Sequence, residues 1–223
     1  AGSAESGAGE AWAGAPAQAA SPGSAGGAVA ARPPSRVQQV VTGTDHACAL
    51  LEDQRVKCWG NNLVGQLGLG DTKARGLDPA QMGDALPFVD LGSGRTAKAL
   101  AAGYRSTCAL LDDDTVKCWG NNLFAGKVAT PLAIGDEPGE MGDALPVIDL
   151  PKDALPYDLA VGHFGACILF GEGSYWCGSR SSAPGPIPAP TDASCSGMTG
   201  SGNVLALCSD HSARALVAGS KSP

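Results

Sequence analysis

Lysine and arginine form no cluster in this sequence, and charged residues make up only 17% of it. No stretch approaches the roughly 18 consecutive apolar residues of a membrane-spanning helix. With a formal net charge of −7 and no basic patch, binding to nucleic acid through phosphate neutralisation is excluded as an expectation. An Asn-x-Ser/Thr sequon is absent, so N-glycosylation has no acceptor, while O-linked sugar on the Ser/Pro-rich segments stays open. Arg75-Gly76-Leu77-Asp78 is not an Arg-Gly-Asp adhesion motif. The chain opens at Ala1 with neither Met nor the apolar core of a signal peptide. The expectation is a removed leader or a longer parent product.

Glycine and proline, by contrast, are abundant at 32 and 16 among 223 residues. That composition suits a turn-rich β-protein with long polar loops, large enough for one big domain or two small ones. Residues 1–36 are almost wholly Ala, Gly, Ser and Pro. Such a segment buries too little apolar surface to offset its ordering entropy, which predicts a flexible arm or linker. Its one large side chain, Trp12, is the candidate anchor if the arm orders against a neighbouring subunit.

From Gln39 the chain repeats itself. TGTDHACALLEDQRVKCWGNN from Thr42 returns as AGYRSTCALLDDDTVKCWGNN from Ala102, and again as VGHFGACILFGEGSYWCG from Val161. Cys48 to Cys108 is 60 residues and Cys108 to Cys167 is 59. A second marker agrees, because MGDALPFVDL from Met82 recurs as MGDALPVIDL from Met141, 59 residues on. Two independent markers with one period define a repeat architecture. Within the first repeat, strands are expected at Val40-Val41, His46 to Leu51 and Arg55 to Trp59. A fourth is expected at Ala85 to Leu91, kept to a sheet edge by Pro87.

Eight cysteines in regular spacing favour an oxidising compartment. With a hairpin centred on Asp53, Cys48 faces Cys58 and Leu50 faces Val56, all on one face because strand side chains alternate. Opposed residues at a non-hydrogen-bonded site lie about 4.5 Å apart at Cα, within disulfide reach. The same construction, centred on Asp113 and Glu172, joins Cys108 to Cys118 and Cys167 to Cys177. Each bridge closes a short loop and contributes roughly 2–3 kcal/mol, mainly by locking register. Buried thiols are the bland alternative, and a spacing of ten on a hairpin is not that of a zinc knuckle. Cys195 and Cys208, thirteen apart, are expected to pair in a degenerate fourth unit.

HACALLEDQRVKCWGNNLVGQLGLGD, from His46 to Asp71, resembles the consensus of regulator-of-chromosome-condensation repeats. The cysteine-containing form with a long MGDALP loop is similar to versions in secreted or surface proteins. The resemblance covers about Gln39 to Gly178 and implies blades of four antiparallel strands set around an axis, usually seven to a closed ring. Three departures stand out. The GQLGLGD run, Gly65 to Asp71, becomes AGKVATP, Ala125 to Pro131. The third repeat has Gly178 where Trp59 and Trp119 stand, with Trp176 two residues earlier on the same strand face. Past Gly178 the motif dissolves into SSAPGPIPAPTDAS.

The expected fold is therefore all-β: a partial β-propeller of about three to four antiparallel four-stranded blades, stapled by disulfides. Residues 1–36 would be the arm, 37–97 and 98–156 the two clear repeats, 157–186 a degenerate third, and 187–223 a degenerate C-terminal unit. Trp59, Trp119 and Trp176 are assigned to packing between blades, since aromatics supply most packing area in such repeats. His46 sits where the resembling family often places a histidine, and a structural hydrogen bond is expected of it. His163 and His211 occupy no recurrent position, so no catalytic constellation forms. The acidic loops holding Asp71, Asp78, Asp84, Asp136, Glu137, Glu140 and Asp143 match no calcium loop and are read as solvated turns.

Three or four blades cannot close a seven-bladed ring, so both ends of the arc need cover. These readings converge on a non-enzymatic structural or interaction protein, extracellular or at the cell surface, without a cofactor. Its partners would be copies of itself, in a ring or filament, or other blades and surface proteins. The alternative is a recognition module that binds a protein or glycan through its inter-strand loops. A nucleotide-exchange or chromatin role, as in the family's namesake, is opposed by the acidic charge, the paired cysteines and the blade count.

Overall fold

The computed structural model describes residues 36–123, 132–163, 165–171, 174–179, 182–187, 195–201, 203–208 and 213–215. Trp12 and His211 lie outside them. The described secondary structure is β-strand with a few 3-10 turns, arranged in four antiparallel sheets. The first holds β1 (Val37–Thr42), β2 (His46–Leu51) and β3 (Val56–Gly60). The second holds β4 (Ala97–Ala102), β5 (Ser106–Leu111), β6 (Val116–Asn121) and β7 (Ala133–Ile134). The third holds β8 (Pro156–Val161), β9 (Gly165–Phe170), β10 (Tyr175–Ser179) and β11 (Ser182–Ile187). The fourth holds β12 (Cys195–Ser201), β13 (Asn203–Cys208) and β14 (Ala213–Ala215). In every sheet the strands pair in chain order. This is the expected partial propeller, with two four-stranded and two three-stranded blades among the described residues.

Register is the same from blade to blade. Cys48 pairs Cys58, Cys108 pairs Cys118 and Cys167 pairs Cys177 across successive hairpins. Their sulfurs are bonded, with Cα atoms 4.1 Å apart in each case. Each first strand carries a bulge near its start, after Val37, Ala97 and Pro156. The side chains of Cys195 and Cys208 lie outside the described residues, yet the backbone sets the two opposite each other on β12 and β13.

The fourth strand is not where the sequence placed it. Ala85 to Leu91 forms no strand. It leaves a 3-10 turn at Gly83–Ala85 and touches the sheet only through a single bridge, Lys57 to Phe88. The outer position is held instead by β7 in the second blade, and by a lone bridge of Gly60 to Arg75 in the first. In the third blade it falls to β11, whose Pro184 and Pro186 are tolerated because that strand is an edge.

Both faces of an inner blade are apolar, since each is pressed against a neighbour. Cys48, Leu50, Val56 and Cys58 on one face of the first blade meet Leu100, Ala109, Leu111 and Trp119 on the second. The opposite face of the second blade, with Cys108, Leu110, Val116 and Cys118, meets Leu159, Val161, Ile168 and Phe170 of the third. Close approach of the inner strands requires glycine. A Cβ on Gly43 would stand 2.2 Å from the Gly103 carbonyl oxygen and from a His46 ring carbon, and one on Gly103 would stand 2.5 Å from the Gly162 carbonyl oxygen.

Candidate functional site at the junction of the first two blades

The polar groups concentrate where the first blade meets the second. His46 opens β2 and is 5% exposed. Its Nε2 lies 2.9 Å from the Thr107 hydroxyl, which donates to the Gln66 carbonyl at 3.0 Å. With the threonine proton so used, Nε2 must donate and Nδ1 carries the lone pair. Among the described residues Nδ1 has no hydrogen-bond partner, and it faces the Asp45 carboxylate only at 4.0 Å. Burial lowers the His46 pKa to about 4, outweighing the attraction of Asp45. The imidazole is therefore neutral near pH 7 and clamps the two blades together.

The same Gln66 carbonyl accepts from the Trp119 indole at 3.1 Å. Gln66 belongs to the Gly65–Gly70 turn of the first repeat, so this turn caps the tryptophan of the second. Gln39 adds a side-chain copy of strand pairing, donating to the Leu100 carbonyl at 3.0 Å and accepting from its amide at 2.9 Å. Trp119 is 1% exposed, whereas Trp59 is half-buried. Trp176 occupies the strand position of Lys57 and Lys117, directly opposite Ile168, and packs on the core between second and third blades.

Lys57 and Lys117 carry a role that the sequence reading missed. Both are buried, and each amine holds the repeated MGDALP loop by its backbone. Lys57 donates to the Gly83 carbonyl at 2.7 Å, and Lys117 donates to Gly142 at 2.9 Å and Leu91 at 3.0 Å. The signal was present: the VKCWG lysine and the MGDALP loop occur together in two repeats and are both missing from the third. Lys117→Met should cost about 2 kcal/mol, since it leaves two carbonyls short of a charged donor. Limited proteolysis should then cut first in the loop around Met141. Unchanged cleavage there would remove the clip from the account.

The acidic loops use their carboxylates on their own backbone. Glu140 accepts from the amides of Gly135, Asp136 and Glu137, and Asp78 from that of Ala80. At Asp71 partial burial pushes the pKa up, but hydrogen bonds from Arg75, the Lys73 amide and Asn62 hold the carboxyl below its ordinary value. Asp143 binds the hydroxyl and amide of Ser93, which lowers its pKa and ties the second repeat's loop to the first repeat. No group of three metal-ligating side chains occurs among the described residues. A cleft of about 450 Å³ opens between the two loops, lined by Leu69, Arg75, Phe88, Asp90, Pro138 and Met141.

Comparison with known proteins follows the same boundaries. The family model described as Regulator of chromosome condensation (RCC1) repeat matches residues 37–66 and 97–124. The Ultraviolet-B receptor UVR8 of Arabidopsis thaliana is 34% identical over 101 residues, covering 45% of this chain and 20% of the receptor. The X-linked retinitis pigmentosa GTPase regulator of Homo sapiens is 33% identical over 94 residues, covering 42% of this chain and 8% of that protein. Among solved structures, human WBSCR16 superposes with a TM-score of 0.59 at 20% identity, over 79% of this chain and 46% of that one. Kap60 bound to yeast RCC1 (Prp20) gives 0.55 at 19% identity, over 79% and 42%. The chain thus spans a fifth or less of the curated relatives' length and under half of the solved chains. Similarity at these structural identities establishes the fold alone.

Proposed function

We propose, for a chain that carries repeats of the regulator-of-chromosome-condensation family, the role of a non-enzymatic protein-interaction module. It would act outside the cell or at its surface and assemble through its blade faces with copies of itself or with other surface proteins. One observation carries this reading. The face of the second blade is sealed by the first, while equivalent positions on the first blade's own outer face stay open. Val40 is 55% exposed where Leu100 is 3%, and Trp59 is half-buried where Trp119 is 1%. Apolar strand faces of this kind are interaction surfaces or aggregation hazards, and a stable protein must cover them.

The bridged hairpins support an oxidising compartment. Mass spectrometry of unreduced protein should find four bridges, the fourth joining Cys195 to Cys208, and negative-stain imaging should find rings, filaments or complexes. Free thiols throughout would sink the extracellular placement. A monomer at all concentrations, indifferent to every surface protein, would sink the assembly. The cleft between the two long loops favours a second reading, recognition of a protein or glycan at Phe88. There, binding by a discrete monomer is the discriminating result.

A further inference from the structure

The long loops of the first two repeats are tied to each other through their backbones. The Gly142 amide donates to the Asp90 carbonyl at 3.1 Å, and the Gly70 amide donates to the Gly135 carbonyl at 3.1 Å. Behind them Lys57 and Lys117 anchor the two MGDALP segments. The cleft of about 450 Å³ between the loops is thus preformed, and its size lies within the range of about 300–1,000 Å³ usual for binding pockets. Its walls are mostly apolar, with Leu69, Pro87, Phe88, Pro138 and Met141 turned to it. Phe88 is exposed, and its ring is held by Arg55 and Lys57, whose charges stand 3.7 and 4.5 Å from its centroid. Blade-on-blade packing leaves this space unused, because strand faces make those contacts. The third repeat has no MGDALP segment, so the sequence provides the loop pair once.

Charge decides what fits there. Asp90 lines the cleft, and its carboxylate accepts from the Gly92 amide at 2.9 Å without a basic partner among the described residues. Asp78, Asp84, Asp136 and Glu137, on the same two loops, also make no ion pair among the described residues. Arg75 is neutralised by Asp71, Arg55 by Asp53, and Lys57 and Lys117 are buried on loop carbonyls. Lys73 is the one exposed lysine within 69–90 and 132–150. An apolar cleft under a negative rim complements a ligand that is apolar at its centre and cationic beside it. Sugar hydroxyls would find little to pair with. Among the described lining residues Arg75 alone carries a side-chain donor, and it is spent on Asp71 and the Lys73 carbonyl. We propose that the cleft docks an extended polypeptide segment in which an apolar side chain is flanked by lysine or arginine. The apolar residue seats against Phe88 and Met141, and the cation meets Asp90. The inference rests on the recognition reading above and narrows it from protein or glycan to one kind of peptide.

The test selects phage displaying random dodecapeptides on the immobilised full chain, then measures a synthetic peptide of the enriched sequence by fluorescence anisotropy. Enriched sequences should pair a large apolar residue with two or more lysines or arginines. Phe88→Ser should weaken the synthetic peptide at least about tenfold. Asp90→Asn should weaken it several-fold, and so should added salt. Val147→Ser changes the equivalent position of the second loop, outside the cleft, and should bind like the parent. Asp90→Asn keeps the side chain's shape and decides the matter if Phe88→Ser fails to fold. No enrichment, enrichment of neutral or acidic sequences, or equal losses in Asp90→Asn and Val147→Ser would overturn the proposal. The same variants are read on an array of neutral glycans. Glycan binding that Phe88→Ser abolishes refutes the peptide and leaves the recognition reading standing, whereas binding to neither probe removes that reading too.

Discussion

Trp119→Ala should destabilise the protein by about 4 kcal/mol, and Trp59→Ala by no more than about 1–2. The two residues share the sequence Lys-Cys-Trp-Gly-Asn-Asn and the same strand position, so local propensity cannot separate them. Packing does. Trp119 is 1% exposed, lies in the core between first and second blades, and donates to Gln66 from the preceding turn. Removing it costs the transfer energy of a large aromatic, leaves a cavity between two rigid sheets, and takes one of two donors from a buried carbonyl. Trp59 lacks the preceding turn and keeps one side to solvent, so little of that cost applies. Denaturant unfolding of both variants measures the difference. Equal losses would mean that the first blade is covered as fully as the second.

The features legible in the sequence are those that obey a local rule. The hairpin disulfides follow from a spacing of ten across a tight turn and from period-two alternation. The two clear blades follow from the 60-residue period. What escaped has equally physical reasons. Ala85 to Leu91 alternates like a strand, but buried Lys57 and Lys117 hold the Gly83 and Gly142 carbonyls, so the preceding segment turns in 3-10 fashion and only one bridge forms. The true outer strand, Ala133–Ile134, is two residues long and shows no periodicity. Trp176 lies two residues before the position of Trp119, as the sequence shows, and register identifies that place as the lysine position; among the described residues its indole N–H is buried without a partner, in a repeat that has no MGDALP loop. The clamp of His46, Thr107 and Gln66 joins unlike residues from two repeats, which no single-repeat consensus displays. The last sheet was expected as a degenerate unit with Cys195 facing Cys208, a pairing its backbone keeps, while its individual strands went unassigned because β12 is rich in Gly and Ser.

Acid should loosen the first junction well before it affects the carboxylates. His46 has an ordinary pKa of 6.5 once unfolded and about 4 in the folded protein, where burial disfavours the imidazolium. A folded pKa depressed below the unfolded value means that the unfolded chain binds the extra proton first. The stability this residue allows is therefore complete above about pH 6.5 and is lost as pH falls toward 4, by roughly 2–3 kcal/mol at pH 4.5. Asp71, Asp113 and Asp143 also titrate below their ordinary value of 3.8, which confines their losses to more acid solution. The two windows barely overlap. His46→Gln keeps a donor for Thr107 and has no proton to gain, so its unfolding free energy should stay nearly level from pH 7 to 4.5 while the parent falls. Should parent and variant decline in parallel, the loss belongs to another group and His46 is not the acid-labile contact. Because the junction it clamps also places the Gly65–Gly70 turn over Trp119, the parent's Trp119 should become radical-accessible over the same pH interval, and the variant's should stay protected.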